Sequence, residues 1–82
     1  MILVDIYFPA VDMVYDFRLD ENVKIIHLLQ EIQEMMCKKY RSVLNDQPEK
    51  FMLCTMESKK ILTNDSTLAA NGIKNGARLM IV

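Results

Sequence analysis

The chain has 82 residues, 51% of them hydrophobic, and ten basic side chains against eleven acidic ones leave a net charge of −1. That length makes one domain, residues 1–82, with a modest core, and the scattered charge lacks the concentrated basic face that a nucleic-acid partner requires. No stretch nears the roughly 18 apolar residues of a membrane span, and the opening MILVDIYF has no basic lead and is broken by Asp5, unlike a secretion signal. A cytoplasmic location is expected. Cys37 and Cys54 have no metal or redox spacing and read as free thiols in a reducing compartment.

The first predicted element is a strand. Ile2, Val4, Ile6 and Phe8 alternate with Leu3, Asp5 and Tyr7, the period of a ladder covered on one face. Pro9 interrupts it, because proline has no N–H to donate. Val11, Met13, Tyr15, Phe17 and Leu19 then alternate with Asp12, Asp16, Arg18 and Asp20, with Val14 the exception. The two runs predict an antiparallel hairpin. Asp12, Asp16 and Asp20 recur every four residues, which on a strand reads as solvation and edge protection, with a weak cation site as the alternative.

Asn22 to Leu44 carries the only long helical rhythm. Val23, Ile26, Leu29 or Gln30, Ile32, Met36, Tyr40 and Val43 or Leu44 recur at steps of three and four. Asn22 is the expected N-cap, and Asn45 and Pro48 supply the stop. The basic run KKYR at 38–41 reads as a solvated helix end, favoured there by the helix dipole. Residues 23 to 44 would span about 33 Å as a helix, against about 17–20 Å for a short strand. An overrun is expected, leaving Tyr40, Val43 and Leu44 to cover the sheet end or to serve as a secondary partner contact.

Phe51 to Met56 reads as a third strand, apolar on both sides, and Ile61 to Thr63 as a short edge strand. Ser66 or Thr67 caps one helical turn, Leu68 to Asn71, which Gly72 closes in a left-handed conformation. Ile73 turns back to the core, Asn75-Gly76 marks a tight turn, and Arg78 to Val82 form the last strand with Leu79 and Ile81 inward. A single helix cannot bury its own stripe, so it must pack on the sheet. The fold class is α+β: a ββαββ β-grasp arrangement, one long helix on a mixed sheet, with a short helical turn before the last strand.

The stretch LTNDSTLAANGIKNGARLMIV (62–82) runs without a gap against the last third of ubiquitin-like domains. VYDFRL (14–19), NVKII (22–26) and GIKNGARLMIV (72–82) resemble the YukD/EsaB family, small ubiquitin-like proteins of type VII (WXG-type) secretion systems. The link after Leu19 is shorter than in that family, and the stretch between the helix and the third strand is longer. The resemblance implies a cytosolic accessory or regulatory protein acting by protein–protein contact with a membrane-associated subunit or the ATPase of the secretion machinery. It implies recruitment to the inner face of the membrane through that partner, without insertion.

Motifs for chemistry are missing: no phosphate-binding glycine loop, no H-E-x-x-H and no nucleophile elbow. His27 reads as a half-exposed helix residue. We expect a non-enzyme with no cofactor and no metal. Ubiquitin-like modifiers and sulfur carriers act through a Gly-Gly tail. This sequence ends at Val82 inside its last strand, so a non-conjugating protein is expected. A generic ubiquitin-like interaction module, or a modifier or sulfur carrier shortened at its tail, stands as the alternative.

Strand parity places the partner surface on the face the helix leaves open. Leu3, Tyr7, Met52, Cys54, Met56, Met80 and Val82 are the candidate contacts, and methionine suits a surface that must adapt. A third strand of opposite parity would instead expose Phe51 and Leu53 and bury Met52 and Cys54. Homodimerisation through the same patch is the competing use.

Overall fold

A computed structural model describes residues 1–39 and 51–82. Its elements are strand β1 (Ile2–Phe8), strand β2 (Met13–Leu19), helix α1 (Ile25–Lys39), strand β3 (Leu53–Thr55), strand β4 (Ile61–Leu62), a 3₁₀ turn (Ala69–Asn71) and strand β5 (Arg78–Ile81). The sheet order is β2-β1-β5-β3-β4, with β1 and β5 parallel at the centre and every other neighbour antiparallel. This is the β-grasp arrangement that the alternation of strands and helix predicts.

The hairpin pairs residue for residue from Ile2 opposite Leu19 to Phe8 opposite Met13. Its inward side chains, Val4, Ile6, Phe8, Phe17 and Leu19, are buried together with Leu53, Leu62, Leu79 and Ile81 from the other strands. Phe8 meets Tyr15 edge-on with ring centres 5.8 Å apart, and Phe17 at 6.0 Å, the tilted geometry that aromatic quadrupoles favour.

The helix packs on this face through Ile25, Leu28, Leu29, Ile32 and Met36, all buried. That stripe is rotated from the expected one, because Ile26 is only half-buried. The helix also starts later than expected. Asp20 accepts the Asn22 N–H on Oδ1 at 2.9 Å and the Val23 N–H on its carbonyl at 3.2 Å, so residues 20–23 form a turn and Asn22 caps nothing. Lys39 is the last helical residue described; Tyr40, Val43 and Leu44, the secondary contact candidates, lie outside the described residues.

The first helical amides find their partners far along the chain. Ile25 N–H donates to the Ser66 carbonyl at 2.8 Å and Ile26 N–H to the Asn64 carbonyl at 3.0 Å. In return Ala69 N–H donates to the Glu21 carbonyl at 2.9 Å. These bonds hold the segment 64–69 against the helix start and press Leu68, fully buried, into the core. Thr67 Oγ1 takes the Ala70 N–H at 3.0 Å. Gly72, at φ 71°, then lets its own N–H reach the Ala69 carbonyl and the Ile73 N–H reach the Leu68 carbonyl, the Schellman closure that needs a left-handed residue.

Leu68 therefore anchors the crossover to the helix. Leu68→Ala is expected to lower unfolding free energy by about 2–5 kcal/mol, as other large-to-small core substitutions do. Ile61→Ala, at an exposed site, is expected to change it by less than about 0.5 kcal/mol. Urea melts of the two variants check the contrast; comparable losses would show the core wrongly drawn.

Candidate interaction surface

The face opposite the helix is built by the strand residues of the other parity, and the pairings align them in rows. Val14 opposes Tyr7, Tyr7 lies beside Met80, Met80 beside Cys54, and Cys54 beside Ile61. One largely apolar row thus crosses all five strands. The next row runs Asp16, Asp5, Arg78, and the Met56 N–H bonds the Arg78 carbonyl at 3.0 Å, bringing Met56 to its end. At the far side Met52 and Val82 exchange two hydrogen bonds of 2.9 Å.

Nine large hydrophobic side chains stand exposed among the described residues. Six of them, Leu3, Val14, Met52, Met56, Ile61 and Val82, belong to this face. Open sheet faces are normally polar, and the concentration of large apolar side chains sets this face apart from that pattern. The parity predicted for the third strand holds: Leu53 is buried, whereas Met52 and Met56 are 47% and 41% exposed. Tyr7 and Met80 are half-buried within the row.

Cys54 is the correction. It has the outward parity expected of it, yet it is only 5% exposed. Its strand lies between β5 and β4, and Met80 and Ile61 flank it in register, so the row's bulkier members close over a small side chain. Cys54 supports this surface from beneath and offers little to a partner. Ile61 and Val14, not among the expected contacts, are the exposed members the row adds. Ile61 sits on the predicted edge strand, where the parity rule applied to the other strands would have found it.

Two shallow concavities punctuate the face. One of about 280 Å³ is lined by Asp5, Tyr7, Val14, Met56, Arg78 and Leu79; another of about 270 Å³ by Met52, Ile61, Leu62, Thr63 and Asn64. Small-molecule sites usually enclose about 300–1,000 Å³, and both depressions fall below that range. The residues that looked suited to a cation are dispersed. Asp12 sits in the hairpin turn at φ 51° accepting the Tyr7 hydroxyl at 2.8 Å, and Asp20 is spent on the turn before the helix. That hydrogen bond, which favours the neutral phenol, heads the causes that hold the Tyr7 hydroxyl above its ordinary pKa. His27 is exposed on the helix.

Asp16 faces Asp5 directly across the hairpin. The hydrogen bond it shares with the Asp5 carboxyl holds its pKa above the ordinary 3.8, and the Asp5 charge and some desolvation push the same way. A carboxyl raised in the folded state binds its proton more tightly there than in the unfolded chain. Its stabilising effect is complete below pH 3.8 and is lost as pH rises through the folded value. Asp16→Asn should therefore melt at a higher temperature than the parent at neutral pH, with the gap closing in acid. Thermal melts between about pH 3 and pH 8 measure this; a variant less stable than the parent at neutral pH would contradict it.

The comparisons agree with this architecture. The N-terminal ubiquitin-like domain of the 4931431F19Rik protein superposes with a TM-score of 0.76 at 21% identity, covering 99% of this chain and 72% of that one. The ubiquitin-like domain of the Arabidopsis thaliana protein At2g32350 gives 0.74 at 18% identity, covering 99% and 74%. Identities this low speak for the fold alone, which is ubiquitin-like. No curated protein matches the sequence. The family described as "WXG100 protein secretion system (Wss), protein YukD" matches residues 2–81, nearly the full length, and the chain belongs to that family.

Proposed function

We propose that this protein serves a WXG-type secretion system as a non-conjugating ubiquitin-like adaptor, contacting a protein component of the machinery through its open sheet face. Family membership supports the pathway. The observation that carries the mode of action is the apolar row from Val14 to Ile61 with Met52, Met56 and Val82 around it. A face of this kind loses hydrophobic free energy while it stands in water and regains it on docking, at about 25 cal/mol per Å² of apolar surface covered. The partner is a membrane-associated subunit or the ATPase of the system. The protein would act at the inner side of the membrane, and among the described residues no helix is long and apolar enough to cross it.

Met56→Asp tests the surface. Met56 is largely exposed, so unfolding free energy should stay within about 1 kcal/mol of the parent. A charge buried in the interface should abolish capture of secretion components by the tagged protein. In cells lacking the parent gene, the variant should fail to restore export of the small WXG-type substrates. A folded variant that binds and complements normally would move the partner surface elsewhere. Full export and unchanged substrate transcripts in the gene deletion itself would remove the protein from the pathway.

The non-covalent mode has its own check. Val82 is engaged in the sheet through both hydrogen bonds to Met52, and the proposed docking uses side chains of the face. Intact-mass analysis of the protein purified from cells, after incubation with ATP and cell extract, should show no adenylate, thiocarboxylate or lysine adduct at its C-terminus. Any such adduct would establish conjugation or sulfur transfer instead.

A further inference from the structure

Strand β2 forms one edge of the sheet, and its free side can be specified atom by atom. Asp5 N–H donates to the Ala77 carbonyl at 3.0 Å, and the Leu3 carbonyl accepts the Gly76 N–H at 2.7 Å, so the odd-numbered residues of β1 aim their backbone groups at the β5 side. The even-numbered residues, Ile2, Val4, Ile6 and Phe8, therefore bond to their opposites Leu19, Phe17, Tyr15 and Met13. By the alternation of an antiparallel ladder, the N–H and C=O of Val14, Asp16 and Arg18 point away from β1 along the open edge. Among the described residues nothing pairs with that edge. The strand is seven residues long, matched one-to-one with β1, with no bulge and no proline. Such an edge is a template for another strand unless charge protects it.

The charges on this edge are of a particular kind. Asp16 and Arg18 are opposite in sign, two residues apart, and on the same face. We propose that β2 pairs antiparallel with β2 of a second copy of this chain, the two-fold axis passing at Phe17. Asp16 then lies opposite Arg18 of the second copy, and Arg18 opposite its Asp16.

Hydrogen bonding and charge together select this register. Outward-pointing residues must oppose one another, which leaves a few two-fold alignments. Centring the axis on Asp16 would line up Asp5, Asp16 and the same two carboxylates of the second copy in one row, and like charges directly opposite are destabilising. Centring it between Val14 and Asp16 would set Arg18 opposite Asp12, which lies outside the strand in the hairpin turn and already takes the Tyr7 hydroxyl, so the ladder itself gains no charge pair. Centring it on Phe17 forms two ion pairs, and each places a cation beside the Asp5–Asp16 pair, whose shared repulsion has no such neighbour on the edge side. On the helix side of the sheet, Phe17 would face Phe17 and Tyr15 would face Leu19. The result is one ten-stranded sheet whose open apolar faces run on from one copy to the other and remain available for the partner. The contact is small, so association in the range of about 0.01–1 mM is expected.

Sedimentation equilibrium on charge-swapped chains tests the pairing. Asp16→Arg and Arg18→Asp each place like charges opposite one another at both pairs, and each should weaken self-association at least tenfold. Mixing the two variants should restore association, because the basic edge of one then meets the acidic edge of the other. The double swap Asp16→Arg with Arg18→Asp should self-associate like the parent. Asp16→Pro removes an outward N–H without touching the β1 ladder and should leave a monomer; circular dichroism confirms that each variant is folded. A parent that stays monomeric up to about 1 mM overturns the proposal, as does association indifferent to the swaps. Loss of partner capture by Asp16→Pro with a monomeric parent would assign the edge to a foreign strand and overturn the two-copy reading as well.

Discussion

The exchange of backbone hydrogen bonds between the helix start and the segment 64–69 is the constraint on which the rest of this structure depends. The first amides of a helix have no partner within it, and here no side chain does the capping: Ile25 and Ile26 donate to the carbonyls of Ser66 and Asn64, and Ala69 donates back to Glu21. Three consequences follow. The helix cannot begin before residue 25 without losing these partners. Leu68 is carried into the core between helix and sheet. The chain must then reverse sharply to reach β5, which is why a left-handed residue is needed at Gly72. This clasp between segments some forty residues apart ties the helix start to the crossover that leads into the last strand.

The clasp also settles what the sheet can offer. With β5 brought to the centre beside β1, the helix covers one face along its width, and the second face has no element left to cover it among the described residues. The side chains of that face are not those of a solvated sheet. Where β5, β3 and β4 meet they are Met80, Cys54, Ile61, Met52, Met56 and Val82, while the charges are Asp16 and Arg18 on β2, Asp5 on β1 and Arg78 at the start of β5. The hydrophobic core does not explain the exposed ones among them, Met52, Met56, Ile61 and Val82, since none of these contributes to it.

How far the sequence reveals this depends on which force acts locally. The period-two alternation of Ile2 to Phe8 and of Val11 to Leu19 is written by burial on one face; the first strand is found where it puts it, and the second begins two residues later, at Met13, because residues 9–12 close the hairpin turn. Gly72 and Gly76 are legible for a different reason, because positive φ is costly for residues with a Cβ, and both have it. The helix start differs from the local pattern. Asn22 has the chemistry of an N-cap, but Asp20 captures its N–H, and the true cap comes from carbonyls of residues far along the chain, which no local pattern reveals. Cys54 shows a second limit. Parity gives the direction a side chain takes from the sheet, not the depth at which its neighbours leave it, and a small residue between Met80 and Ile61 disappears beneath them.

Were the open face to dock as proposed, the uneven spread of apolar and charged residues across it would divide the labour of recognition. Apolar contact at the β5-β3-β4 side supplies free energy in proportion to area but tolerates many partners, since Met52, Met56 and Met80 repack at small cost. Charged pairs at the β1-β2 side contribute less to affinity, because exposed ions keep much of their hydration, yet they penalise a wrong neighbour strongly. Asp5 and Asp16 make that penalty sharper. Two carboxylates in register already repel each other, so a further anion beside them meets an added cost and a cation an added gain. On that proposal discrimination would belong to the edge and adhesion to the opposite side. A partner satisfying both would bridge the sheet along its rows, because among the described residues the row from Val14 to Ile61 is an apolar path that joins the two.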